Sequence, residues 1–206
     1  MGLIGIFSNM AKQLNWHWVE RSLRDAGMSL FAPQDLANLL GGSVISLRFL
    51  VTRAVKRGDI LKLRRGLYAL TSPPPADLQV ANALYRPSYV SFSFALSYHH
   101  IIPEAVYAVT SATPRATSSF NAFGKRFVYH HLKPRAFTGC RAERVQDQTV
   151  WIAEPEKAVV DTLYFSLLRK LGRPERMDTS GLSAKRIKGL AELFGRQDLM
   201  EAIREL

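Results

Sequence analysis

The chain has 206 residues, of which 47% are hydrophobic, 10% aromatic and 22% charged. That allows one large domain or two small ones and excludes a large multidomain enzyme, wholesale disorder, and collagen-like or disulfide-built chains. Lysine and arginine number 28 against 17 acids, a formal charge of +11, which points to a polyanionic partner, either nucleic acid or an anionic membrane surface. The lone Cys140 cannot close an intramolecular disulfide and reads as a small buried hydrophobe of an intracellular, cytoplasmic protein. Even the longest apolar stretches, such as Val159–Leu168 with Asp161 inside it, fall short of the roughly 20 residues that cross a bilayer. The start, Met1-Gly2-Leu3-Ile4-Gly5-Ile6-Phe7, lacks the basic region and cleavage site of a signal peptide.

In chain order, Leu14–Asp25 predicts a helix with Trp16, Val19 and Leu23 on its buried face, Arg21 and Arg24 off it, and Gly27 as its stop. A second helix is expected over Pro33–Leu40, with Pro33 in the first turn, Leu36, Leu39 and Leu40 as the buried stripe, and Gly41-Gly42 closing it. Ser43 is placed to cap a third helix running to Arg57, because its hydroxyl can accept from a free first-turn amide. On that helix Val44, Leu47, Val51, Ala54 and Val55 share one face, and Ile45, Ser46, Arg48, Phe49, Thr52, Arg53 and Lys56 turn away from it. Gly58-Asp59 breaks the helix; Ile60–Leu63 and Gly66–Leu70 then predict two strands around the turn Arg64-Arg65-Gly66. Thr71-Ser72-Pro73-Pro74-Pro75 reads as a short, stiff linker, so the expected domains are residues 1–72 and 76–206. From Ser43 to Leu70 there are seven cations and one acid, Asp59.

Helix, turn, helix and a hairpin tipped by two arginines is the layout of a winged helix-turn-helix. Its third helix fits a major groove about 12 Å wide, where outward polar side chains reach base edges and flanking cations meet phosphates. Double-stranded DNA is therefore the expected partner. Ser46, Arg48, Thr52 and Arg53 are the candidate base or groove contacts, with Ser43 at the helix head joining the DNA-facing set. Lys56 and Arg57 are candidate phosphate contacts, and Lys62, Arg64 and Arg65 form the wing, where the two arginines can lie in a minor groove or along the backbone. Phe49 has two readings, stacking on the first helix or packing against thymine methyl groups. A solvated basic face, or a module that docks protein or RNA, is the competing reading of the whole constellation.

Leu36-Ala37-Asn38-Leu39-Leu40-Gly41, Ser46-Leu47-Arg48, Arg53 through Ile60, and Leu63-Arg64-Arg65-Gly66-Leu67-Tyr68-Ala69-Leu70 resemble the N-terminal winged helix of AbiEi-type antitoxins of type IV toxin-antitoxin systems. The resemblance continues in Pro87 through Ser91 with Ala95-Leu96, in Phe137-Thr138-Gly139, and in Val150 through Asp161. It implies a transcriptional autorepressor that binds operator repeats upstream of its own operon. It further implies a C-terminal domain that counteracts a nucleotidyltransferase-like toxin without requiring a stable complex. A stand-alone regulator of the same fold is the alternative.

Past the prolines, Ala76–Tyr85 and Phe92–His100 predict helices, and Ala105–Thr110, Phe127–Leu132 and Thr149–Ala153 predict strands. A helix is expected from Glu154, with Pro155 at its first position, Glu156 in the first turn, a Lys157–Asp161 pair at i, i+4, and Val159, Val160, Leu163 and Leu167 inward. Ser183–Leu206 reads as one or two amphipathic helices with Leu190, Leu193, Phe194, Leu199 and Ile203 inward. The fold class is thus α+β: a winged helix followed by a larger mixed α/β domain.

No catalysis, cofactor or metal is expected. His17, His99-His100 and His130-His131 lack the spacing that lets two ligands converge on one ion, and neighbours in a strand point to opposite faces. Glu154, Glu156 and Asp161 near Lys157 could be imagined as a nuclease-like cluster, but capping, dipole and pairing terms account for them. Neither a nucleophile elbow nor a phosphate-cradling glycine loop occurs. Arg115, Lys125, Arg126, Lys133, Arg135, Arg141 and Arg144 are candidates for a second nucleic-acid surface, with a scattered solvated charge as the alternative.

Overall fold

The computed structural model describes residues 15–146, 148–168, 171, 172, 174 and 176–206; the apolar start of the chain lies outside them, as does Leu14, the first residue of the expected opening helix. The chain divides into two compact units between Ala76 and Asp77, just past the proline run. Both helices and sheets are present, so the fold is mixed α+β. Among the described residues no single helix is long and apolar enough to cross a membrane.

In the first unit, α1 spans Trp16–Asp25, β1 Leu30–Phe31, α2 Pro33–Leu40, α3 Val44–Arg57, β2 Ile60–Arg64 and β3 Leu67–Leu70. Each helix starts on a local signal. The Asn15 side chain accepts from the His17 amide at 3.2 Å, the Asp35 carboxylate takes the Ala32 amide at 2.6 Å, and Ser43 Oγ accepts from the Ile45 amide at 3.2 Å. Helix α3 ends at Gly58, whose φ of +82° is the left-handed region that glycine adopts without a Cβ clash.

Burial follows the periodicity. Trp16, Val19 and Leu23 of α1, Leu36 of α2, and Leu47, Leu50, Val51 and Ala54 of α3 form one core with Phe31, Ile60 and Leu70. The sequence reading omitted Leu50. It also assigned Leu39 inward, whereas Leu39 is exposed and Leu40 only half-buried, because an eight-residue helix offers the core one narrow stripe centred on Leu36. The two-residue β1 was unforeseen; it pairs antiparallel with β3, giving the sheet order β1-β3-β2. Thr71 Oγ1 donates to the Asp59 carbonyl at 2.8 Å, and Arg24 bonds the Ser72 carbonyl, so the chain stays tied to this unit until the prolines begin.

The second unit holds α4 Asp77–Leu84, β4 Tyr89–Val90, α5 Phe92–Tyr98, β5 Val109–Thr113, β6 Ser118–Ala122, β7 Lys125–His131, β8 Cys140–Val145, β9 Gln148–Ala153, α6 Pro155–Leu167, α7 Ala184–Glu192 and α8 Gln197–Arg204. Its six strands run in the order β6-β7-β5-β4-β9-β8. The β4–β9 and β5–β7 pairs are parallel and the other pairs antiparallel. Strands β4, β6 and β8 were not anticipated, and the expected strand at Ala105–Thr110 begins only at Val109. Pairing register puts Tyr89, Ala112 and His130 in one row and Val90, Ser111 and Tyr129 in the next, so the rows face opposite sides. His130 packs on Phe165 of α6 with ring centroids 5.1 Å apart. Tyr129 donates to the Ala81 carbonyl of α4 at 2.6 Å. The sheet is therefore covered on both faces, and Asn82 of α4 pins the backbone of Trp151 with two hydrogen bonds, at 2.6 and 3.1 Å.

At the middle of the α6 face lies a fully buried ion pair, Lys157–Asp161. Asp161 Oδ2 also accepts from Ser91 Oγ at 2.7 Å and from Tyr89 OH at 3.1 Å, and the Lys157 ammonium lies 4.6 Å from the Phe194 ring centroid. Burial holds the Asp161 carboxyl above its ordinary range against the pull of Lys157 and the three hydrogen bonds. Burial first, then the Asp161 charge, drives the Tyr89 phenol well up, which keeps it a neutral donor. Gly139 arches over the pair at φ +75°; a Cβ there would meet Leu190 at 2.9 Å and the Lys157 stem at 3.1 Å.

Removing one charge from such a pair strands the other in a low-dielectric interior. Asp161→Asn is expected to cost about 3–5 kcal/mol in urea unfolding of the full chain, and the double change Lys157→Met with Asp161→Leu to recover part of that loss.

Candidate nucleic-acid interface

The chain turns by 116° between α2 and α3 across Gly41-Gly42-Ser43. That sharp bend, with its glycines, belongs to the range of helix-turn-helix units. It follows from the burial pattern: Leu36 and Leu47 are both fully buried in the same core, so the two helices must converge there while their axes diverge. Burying Leu47, Leu50, Val51 and Ala54 leaves the opposite face of α3 to solvent. That exposed face carries Ile45, Ser46, Arg48, Phe49, Thr52, Arg53 and Lys56.

All ten residues assigned to the DNA-facing set, Ser43, Ser46, Arg48, Thr52, Arg53, Lys56, Arg57, Lys62, Arg64 and Arg65, are exposed. They are not chemically equivalent. Ser43 spends its oxygen on the helix cap. Thr52 donates its hydroxyl to the Arg48 carbonyl at 2.8 Å, so a base could use only its lone pair and its methyl group. Arg57 is paired with Asp59 at 2.8 Å, which half-neutralises it as a phosphate contact. By contrast, among the described residues no carboxylate lies within ion-pair distance of Arg48, Arg53, Lys56, Lys62, Arg64 or Arg65. Six uncompensated cations on one helix face and one hairpin produce a local positive field.

The hairpin is less regular than alternation suggests. Lys62 pairs with Tyr68, but Arg64 pairs with Leu67, so β2 has one residue more than β3 at the tip. A bulge of this kind bends and twists a strand end, and it separates Arg64 from the register of Lys62 with Leu63 buried between them. Gly66, at φ +76°, completes the turn after Arg65. No sequence signal marked the bulge.

Several cations of the second unit are used differently. Arg115 donates to the Arg86 carbonyl at 2.9 Å and lies 4.3 Å from the Tyr85 ring centroid. Lys125 is paired with Asp77, Arg135 donates to the Phe194 carbonyl at 2.9 Å, and Arg141 lies 3.6 Å from Glu143. These four are engaged within the unit, whereas Arg126 and Lys133 of the same candidate set are exposed. The acidic group is likewise occupied: Glu154 pairs with Arg186, Glu156 accepts from the Ser183 amide at 3.3 Å, and Lys157 and Asp161 are sealed from solvent.

His99 bonds the Ala153 carbonyl at 2.8 Å and His131 the Arg115 carbonyl at 3.0 Å, while His130 is packed among aromatic rings. Among the described residues no three His, Cys, Asp or Glu side chains converge as metal ligands. Cys140, half-buried on β8, has its thiol pushed up by burial and so kept protonated.

Compared with known protein families and with characterised proteins, the sequence finds no match.

Because their side chains contribute no burial or ion pair, Arg53→Ala and the joint Arg64→Ala, Arg65→Ala change are expected to shift unfolding stability by no more than about 0.5 kcal/mol. Circular-dichroism melts of the variants check this, and a larger loss would show that these arginines hold the fold.

Proposed function

We propose that the chain is a sequence-specific DNA-binding transcriptional repressor whose N-terminal unit is a winged helix-turn-helix, with α3 in the major groove and the β2–β3 hairpin as the wing. The observation that carries this reading is the contrast in charge use: among the described residues Arg48, Arg53 and Lys56 of α3 and Lys62, Arg64 and Arg65 of the hairpin face solvent without carboxylate partners, whereas Arg115, Lys125, Arg135 and Arg141 are engaged within the second unit. The 116° turn between α2 and α3 supports it. Arg48 and Arg53 supply the donors for guanine edges, Ser46 an adaptable contact, Lys56 a phosphate contact, and Lys62, Arg64 and Arg65 the wing. Ser43 acts through the cap it gives α3, and Arg57 as a weaker phosphate contact shared with Asp59.

The short motifs shared with AbiEi-type antitoxins extend this proposal to an autorepressor in the cytoplasm. The second unit would oppose a nucleotidyltransferase-like toxin without a stable complex. Growth rescue on co-expression with such a toxin from the same operon tests that extension, and unrelieved toxicity refutes it while leaving DNA binding intact.

A fluorescence-anisotropy titration of the full chain against a duplex from its own upstream region and a scrambled duplex tests the DNA reading. Preference for the native duplex of about a hundredfold or more is expected, with affinity falling steeply as salt rises. Arg53→Ala, or Arg64→Ala with Arg65→Ala, weakens binding and makes the salt dependence shallower. Equal binding to both duplexes reduces the surface to a generic polyanion site, and absence of binding removes the proposal in favour of a protein or RNA partner.

A further inference from the structure

We infer that Ile45 and Phe49 read thymine methyl groups, so that the preferred DNA site of this chain carries thymines under the N-terminal half of α3 beside the guanines contacted by arginine. The inference rests on the DNA-binding reading above and adds to it the identity of the bases.

Both side chains point away from the core. Ile45 is 66% exposed and Phe49 69%, whereas Leu47, Leu50, Val51 and Ala54 of the same helix are buried. Phe49 therefore does not stack on α1, the first of its two sequence-based readings. Residues four apart on a helix lie about 6 Å apart along its axis, which matches one to two base-pair steps at about 3.4 Å each. In the major groove the only apolar group a base pair offers is the C5 methyl of thymine, and apolar side chains are its natural contacts.

Around the pair stand Arg48, Thr52 and Arg53 on the same exposed face. Thr52 has committed its donor to the Arg48 carbonyl, which leaves a methyl group to extend the apolar strip. The flanking cations decide the occupant. An apolar strip rimmed by uncompensated arginines complements a polyanion that exposes methyl groups, and it repels a second copy of the same basic face.

Deoxyuridine lacks only that methyl, so it tests the idea without touching the protein. The full chain is used to select duplexes from a random-sequence pool, and the selected duplex is resynthesised with each thymine in turn replaced by deoxyuridine. Selected sites are expected to be enriched in thymine at neighbouring positions, and replacement at one or two of them to weaken binding by about fourfold per methyl, the worth of one buried methyl-sized group. Ile45→Ser and Phe49→Ser are expected to bind the thymine duplex more weakly and to be indifferent to the replacement, which is the non-additivity expected of partners in contact.

A selected duplex that is bound equally with and without its methyl groups overturns the inference while the DNA-binding reading stands. Failure of any sequence to be enriched removes both. A drop in oligomeric state of Ile45→Ser or Phe49→Ser in solution would overturn it in favour of self-association through this strip.

Discussion

Everything proposed for the N-terminal unit depends on the burial of one face of α3. Leu47, Leu50, Val51 and Ala54 are taken up by a core drawn from α1, β1, α2 and the hairpin, and roughly 25 cal/mol for each Å² of apolar surface removed from water fixes the rotation of the helix about its axis. With the rotation fixed, the outward face is fixed too. Arg48, Phe49, Thr52 and Arg53 have no freedom to be anywhere but in solvent. The same core sets the 116° turn from α2, since Leu36 and Leu47 must reach it from two directions.

The second unit rests on a different constraint. Its sheet is covered on both faces, and on the α6 side the cover includes an ion pair at zero exposure. A buried pair survives when its remaining polar valences are met; here Tyr89 and Ser91 serve the carboxylate, and the Phe194 ring faces the ammonium. The network joins β4, the turn into α5, α6 and the segment before α8. A cluster of acids near a lysine that could resemble a catalytic group from residue types alone is, in three dimensions, a joint between elements.

Charge follows the same division. In the second unit Arg115 and Arg135 donate to backbone carbonyls and Lys125 and Arg141 pair with carboxylates. In the first, six cations of α3 and the hairpin, all but Arg57, have no carboxylate partner among the described residues, and the proposed DNA contact rests on this difference. The apolar strip of Ile45 and Phe49 sharpens it further, because exposed apolar groups set among uncompensated cations suit a ligand that is both anionic and methylated.

Much of this was legible in the residues themselves. The extent of α3, its cap at Ser43, its stop at Gly58, the Pro155 start of α6 and the outward set from Ile45 to Lys56 follow from periodicity, capping and the special backbone freedom of glycine, all local properties. What the residues could not decide is what depends on neighbours far along the chain. Leu39 carries the right periodicity and is exposed because the core takes up the stripe of Leu36 and Leu40, and Leu39 lies off it. Strands β1, β4, β6 and β8 exist because a partner strand offers its hydrogen bonds, and two-residue segments such as Leu30–Phe31 have no pattern of their own. The bulge at Leu63 arises from a register between two strands. Lys157–Asp161 was readable as an i, i+4 pair, but whether such a pair is a solvated ornament or a sealed joint is set by the elements packed over it. Local sequence determined which segments would be helical, which side of α3 would be charged and that Arg57 would meet its neighbour Asp59; tertiary packing decided that no carboxylate from farther along the described chain would reach the other charges.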